Sequence, residues 1–221
     1  MSPDRRNHHI VLVPGVDDTP ARLAPLKTCI EQEGMRAHVF EYPAREWTID
    51  RASLTLATFV ERDVLGGAAT HSVSFVGFGT GSLVERFYLT HYEILPARRC
   101  IIVADPQHPS DKYRTHKAGW LGRRRYGALL QQLAEGPLGF ASRCGQPPIP
   151  YGVIVTATVL APAMDKRDNQ VVANSLYTPP ALLTGARDVA YVATKCDRYA
   201  RDAAAMTLIT TFLQHGWFTQ Q

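Results

Sequence analysis

Short apolar runs alternate with helical segments along most of the chain, and that alternation limits what it can fold into. His9 to Val13 (H-I-V-L-V) is almost wholly apolar and stops at Pro14-Gly15. Such a run suits a strand buried on both faces of a parallel sheet. Thr19-Pro20 reads as a helix cap with proline at the first helical position, and the helix runs to about Glu33, where Gly34 stops it. Met35 to Tyr42 reads as a second strand. Asp50 reads as the cap of a helix ending at Gly66-Gly67. Ser72 to Val76 is a third strand, which enters Gly77-Phe78-Gly79-Thr80-Gly81 and then a helix carrying Leu83, Val84, Phe87, Tyr88 and His91. Cys100 to Ala104, Tyr151 to Thr158 and Val189 to Ala193 read as three more strands, and a last helix spans about Arg198 to His215. Strands and helices alternating at this spacing imply an α/β fold, a mostly parallel sheet with helices on both faces. Ligands of such sheets bind along the edge where strands turn into helices.

The charge is unevenly spread. Between Pro96 and Pro150 there are nine Lys/Arg against three acids, a net of +6, while the whole chain of 221 residues carries only +4. Lys112 to Arg125 holds six basic residues and no acid, with Tyr113, Trp120 and Tyr126 interleaved or adjoining. A diffuse polycation is therefore excluded. Arginine and aromatic residues are common anchors of interfaces. Lys117, Trp120, Arg123, Arg124 and Arg125 are the candidate binding residues, for an acidic protein surface, RNA or anionic lipid, against the plainer reading of a solvated basic face. The four cysteines, Cys29, Cys100, Cys144 and Cys196, have no metal-knuckle spacing, so no metal or other cofactor is expected. They read as reduced thiols of an intracellular protein, in the cytoplasm or the mitochondrial matrix. No apolar run approaches the roughly 18 residues of a membrane span.

Strand, Gly-x-x-x-Gly, helix is the context of a nucleophile elbow, Gly-x-Ser-x-Gly. Here the frame is Gly77-Phe78-Gly79-Thr80-Gly81, and its centre, Gly79, has no side chain. Val76 to Val84 resembles the V-G-H-S-x-G-G-L-V of α/β-hydrolases of the small bacterial lipase or esterase type. Val11-Leu12-Val13-Pro14-Gly15 resembles the family's strand ending in His-Gly, which builds half the oxyanion hole. Asp105 to Ser110, Gly145 to Ile154 and Phe212 to Gly216 resemble later segments of the same family in the same order. The resemblance implies a single α/β-hydrolase-like domain over residues 1–221, with about 105–150 as a basic, irregular cap over the active edge.

It also implies a dismantled triad. The family's serine maps to Gly79, its oxyanion-strand histidine to Pro14, and its catalytic histidine to the stretch Thr194-Lys195-Cys196-Asp197. Asp168 is the match for the acid, left as a vestige. A triad acts as a unit, and losing its nucleophile removes about a millionfold of the rate. Substitutes can be named. Thr80 and Ser82 follow the elbow centre, Lys195 and Cys196 stand near the lost histidine, and His108 follows the fourth strand. Each has a plainer structural role: the Thr80 hydroxyl as helix cap, Ser82 as a small packing residue, and His108 and Asp168 as loop formers. A dinucleotide site fits poorly, because Ser82 stands where G-x-G-x-x-G needs its third glycine. The resulting expectation is a non-catalytic accessory or scaffold subunit of a larger assembly. The alternatives are an esterase with an unconventional site and a small-ligand binding module.

Overall fold

The structure is a computed structural model. It describes residues 7–16, 18–67, 71–92, 96–104, 127–129, 132, 144–156, 180–192 and 198–219. Six strands form one parallel sheet: β1 (His8–Val13), β2 (Arg36–Val39), β3 (Ser72–Phe78), β4 (Ala97–Val103), β5 (Tyr151–Thr156) and β6 (Asp188–Val192). Their order is β2-β1-β3-β4-β5-β6, and every neighbouring pair is parallel. The helices are α1 (Pro20–Gln32), α2 (Ile49–Phe59), α3 (Thr80–His91), α4 (Pro180–Gly185) and α5 (Ala203–His215).

The uniform apolar runs follow from burial on two sides. Alternate residues of β1 point to opposite faces. Val11 and Val13 join a core with Ile49 and Leu56 of α2 and Leu83 and Val84 of α3. Ile10 and Leu12 join a second core with Leu23 and Leu26 of α1 and Ile209 and Phe212 of α5. Every residue of β1 is buried.

Several boundaries depart from the sequence reading. The second strand is shorter than Met35 to Tyr42, although Phe40 N still donates to Leu12 O at 2.9 Å. Thr48, not Asp50, stands at the cap position of α2. Asp50 instead accepts a hydrogen bond from Gln132 Nε2 at 3.2 Å. Thr19 precedes α1 as expected, but its side chain makes no cap hydrogen bond. After α2 the chain continues as a π-helix, Val60–Leu65, before Gly66. The closing helix starts later than Arg198: a 3-10 turn, Tyr199–Arg201, comes first, and Asp202 caps α5 by accepting from Ala205 N at 3.0 Å. Short α4 escaped the sequence reading because six residues show no helical period.

Candidate functional site

All strands run the same way, so the loops after β1, β2 and β3 gather at one edge. The turn after β3 is the tightest. Gly79 sits there at φ 51° and ψ −122°. Glycine reaches this region readily, and another residue held there costs about 1–3 kcal/mol. A Cβ built on Gly79 would meet nothing within 4 Å, so space does not demand glycine at the centre. The flanks differ. A Cβ on Gly81 would collide with the carbonyl of Val13 and come within 2.5 Å of Pro14 O. One on Gly77 would run into Glu85 and approach Ser82 Cα at 2.6 Å. The backbone of the turn, with a positive φ at its centre and close-packed flanks, is that of a nucleophile elbow.

Around the elbow, polar groups are tied to one another. Val16 N donates to Thr80 Oγ1 at 2.9 Å, and Gly15 N donates to Asp18 Oδ2 at 3.0 Å. The Thr80 hydroxyl therefore faces the β1–α1 loop, which corrects its expected role as a helix cap. Enzymes built on this elbow hold the developing oxyanion with an N–H from this loop and the N–H following the nucleophile. Here Gly15 N and Val16 N are both engaged within the chain. Asp18 Oδ2 also accepts from the Tyr199 hydroxyl at 2.5 Å, and the Tyr199 ring stacks on Phe78 with centroids 4.7 Å apart. The Tyr42 hydroxyl donates to Pro14 O at 2.9 Å. Burial, reinforced by the Asp18 carboxylate, pushes the Tyr42 phenol above its ordinary range. Ser82 is fully buried, and its Oγ donates to Gly79 O at 2.6 Å. This hydrogen bond holds the turn closed and adds to its expected packing role.

No described histidine stands at the elbow. His8, His9 and His71 lie toward the opposite, N-terminal edge of the sheet, and His38 lies on edge strand β2, level with Val11 of β1. His91 ends α3. His215 ends α5, where Arg99 near the start of β4 donates to Leu213 O at 2.6 Å. Cys100 is buried, and burial together with the neighbouring Glu85 carboxyl pushes its thiol well up, away from a reactive thiolate. Cys29, Cys100 and Cys144 form no disulfide among the described residues. Asp168, Lys195, Cys196 and His108 lie outside the described residues, as do Lys117, Trp120, Arg123, Arg124 and Arg125. No group of three or more metal-ligating side chains occurs among the described residues. No described helix is long and apolar enough to cross a membrane.

Beside the elbow lies a groove of about 710 Å³, lined by Val16, Asp18, Arg22, Tyr42, Arg45 and Glu46 among others. A smaller one of about 340 Å³ adjoins it at Pro14, Gly15 and Glu41. Residues 127–129 and 132 are fastened next to this groove. Ala128 N donates to Arg45 O at 2.9 Å, and Leu129 is fully buried. Gln132 Oε1 accepts from Ile49 N at 2.7 Å, at the start of α2. Arg86, 4% exposed, donates from Nη2 to Cys144 O and from Nε to Gly145 O at 3.2 Å. Asp18, Tyr199, Arg86 and Gln132 were not singled out from the sequence. Apart from the bond between Asp18 and Gly15 N, the partners described lie from 58 to 181 residues away, beyond any local pattern.

No protein-family model and no curated protein matches the chain. Solved structures do. A lipase-esterase related protein from Clostridium acetobutylicum aligns with TM-score 0.59 at 9% identity, over 96% of this chain and 95% of that one. A hydrolase from Agrobacterium vitis aligns with TM-score 0.59 at 14% identity, over 96% and 88%. The phospholipase PlaB from Legionella pneumophila, solved with thio-NAD, aligns with TM-score 0.57 at 16% identity; the match takes in 69% of this chain and only 38% of the phospholipase. The parallel sheet, the elbow after β3 and these neighbours agree on one architecture, and the chain has the α/β-hydrolase fold.

Proposed function

We propose that this chain keeps the α/β-hydrolase fold without its hydrolytic chemistry and serves as an accessory subunit of a larger assembly. The observation that carries this reading is Gly79 at the centre of an otherwise retained elbow. Supporting it, Gly15 N and Val16 N are already hydrogen-bonded within the chain. Using either for an oxyanion would first break an internal bond. Hydrolysis, as the neighbours' names describe it, belongs to those proteins. Asp168 is in this reading a vestige of the acid.

The partner is taken up by the basic, aromatic stretch containing Lys117, Trp120, Arg123, Arg124 and Arg125. It approaches the fold through Gly127, Ala128 and Leu129, which are fastened beside the groove. An acidic protein surface fits this composition; RNA and anionic lipid are the competing ligands. Changing Arg123, Arg124 and Arg125 together to alanine is expected to weaken capture of the partner from native extract at least tenfold, with the melting temperature unchanged. Undiminished capture in moderate salt, or a wild-type protein that runs as a free monomer in extract, contradicts the proposal. A ligand-binding reading has the groove of about 710 Å³ in its favour. A small molecule that raises the melting temperature of the free chain would support it.

A further inference from the structure

Away from the elbow, around the first half of β1 and the edge strand β2, three imidazoles stack across three elements. His9 of β1 is 3% exposed. Its ring lies parallel to that of His38 of β2, with centroids 5.1 Å apart, and His9 Nδ1 and His38 Nε2 share a hydrogen bond of 3.0 Å. On its other side stands His71, just before β3, with centroids 4.7 Å apart. His9 Nε2 and His71 Nδ1 are buried and have no hydrogen-bond partner. The bond between His9 and His38 needs one ring nitrogen to donate and the other to accept, so at least one of the two rings is neutral.

The charged groups facing this stack disfavour a proton. Arg36 of β2 acts on His9 and His38, and Lys27 of α1 acts on His38. Glu31 of α1, acting on His38, is the one acid among them. On the other face of β1, His8 is paired with Ser74 Oγ at 2.8 Å. The element these rings join most weakly to the sheet is β2. It is an edge strand of four residues, paired with β1 from His9 to Leu12, whereas β1 pairs with β3 from His8 to Val13.

We propose that His9, His38 and His71 form a proton-operated latch that holds edge strand β2 against β1 at neutral pH and releases it in acid. Among the described residues no carboxylate acts on His9, and a proton taken up by the stack lies near the Arg36 cation. Moving β2 away opens the stack to water, where an imidazolium is tolerated. The direction follows from linkage. Burial, then His38, His71 and Arg36, lower His9 to about 4 from an ordinary 6.5. A base depressed in the closed state contributes fully above its ordinary value and loses that contribution as pH falls toward the depressed one. At pH 5.0 the opening equilibrium shifts by roughly thirtyfold relative to pH 7.5, for an opened His9 with its ordinary value.

Hydrogen exchange on the full chain at pH 7.5 and 5.0, corrected for intrinsic exchange rates, tests this. Protection of amides in Arg36–Val39 should fall by about tenfold or more at pH 5.0, while amides in Ser72–Phe78 and Ala97–Val103 keep theirs. In His9→Phe, which keeps an aromatic ring but takes no proton, the fall at β2 should shrink to under about twofold. An even loss of protection across all strands, no loss at β2, or an undiminished loss in a folded His9→Phe each overturns the latch. If that variant does not fold, the strand-by-strand pattern of the wild type decides alone.

Discussion

Changing Gly81 to alanine is expected to lower the melting temperature by roughly 6–12 °C. The added methyl would overlap the carbonyl of Val13 and sit 2.5 Å from Pro14 O and 2.7 Å from Pro14 C. These are main-chain atoms at the end of a fully buried central strand, with no side chain that could swing aside. Overpacking against such a wall costs about 3 kcal/mol or more, and each kcal/mol is worth roughly 2–4 °C in a chain of this size. Gly79→Ser gives the instructive contrast. Its side chain would enter open space, leaving only the strain of a positive φ, about 1–3 kcal/mol. Thermal unfolding of the two variants side by side measures the difference. A Gly81→Ala protein melting within about 2 °C of wild type would mean that α3 does not approach β1 as closely as described.

Arg86→Ala is expected to cost about 2–4 kcal/mol in urea unfolding. The buried carbonyl of Cys144 and the part-buried one of Gly145 lose a charged donor, and an unsatisfied buried acceptor costs about 1–3 kcal/mol. Arg86 also fastens Cys144 and Gly145 to α3, so its loss loosens the approach to β5. Arg86→Lys should recover part of the loss, because an ammonium supplies one point of charge where the guanidinium forks to two carbonyls. A midpoint for Arg86→Ala equal to that of wild type would remove Arg86 from this role.

Much of the fold is legible in the sequence because burial on both faces leaves its mark residue by residue. His9 to Val13 reads as a parallel strand because Ile10 and Leu12 face one core and Val11 and Val13 the other. Gly34 and Gly216 stop their helices where expected, at φ 83° and 81°. The elbow is legible too, since close contacts ask for Gly77 and Gly81 and a positive φ favours glycine at Gly79. What surrounds it is not. Thr80 follows a glycine at a helix start, which locally suggests a cap, yet its partner Val16 comes from 64 residues away. Asp18 and Tyr199 meet only because β1 and the 3-10 turn before α5 end at the same edge, 181 residues apart in sequence. Glu85 and Arg86 look like the solvent side of a helix, but α3 is buried all round its first two turns and Arg86 finds carbonyls inside. Long-range pairing of polar groups leaves no periodic trace, whereas apolar burial does.

The central claim is that the retained elbow has no nucleophile. Incubation of the purified chain with a fluorophosphonate that labels activated serines, followed by intact-mass measurement and peptide mapping, tests it most directly. The predicted result is an unmodified mass of the full chain, with no adduct on Thr80, Ser82 or any other hydroxyl and with short-chain ester hydrolysis at the buffer rate. A stoichiometric adduct at any serine or threonine, accompanied by ester turnover that the probe abolishes, would contradict it.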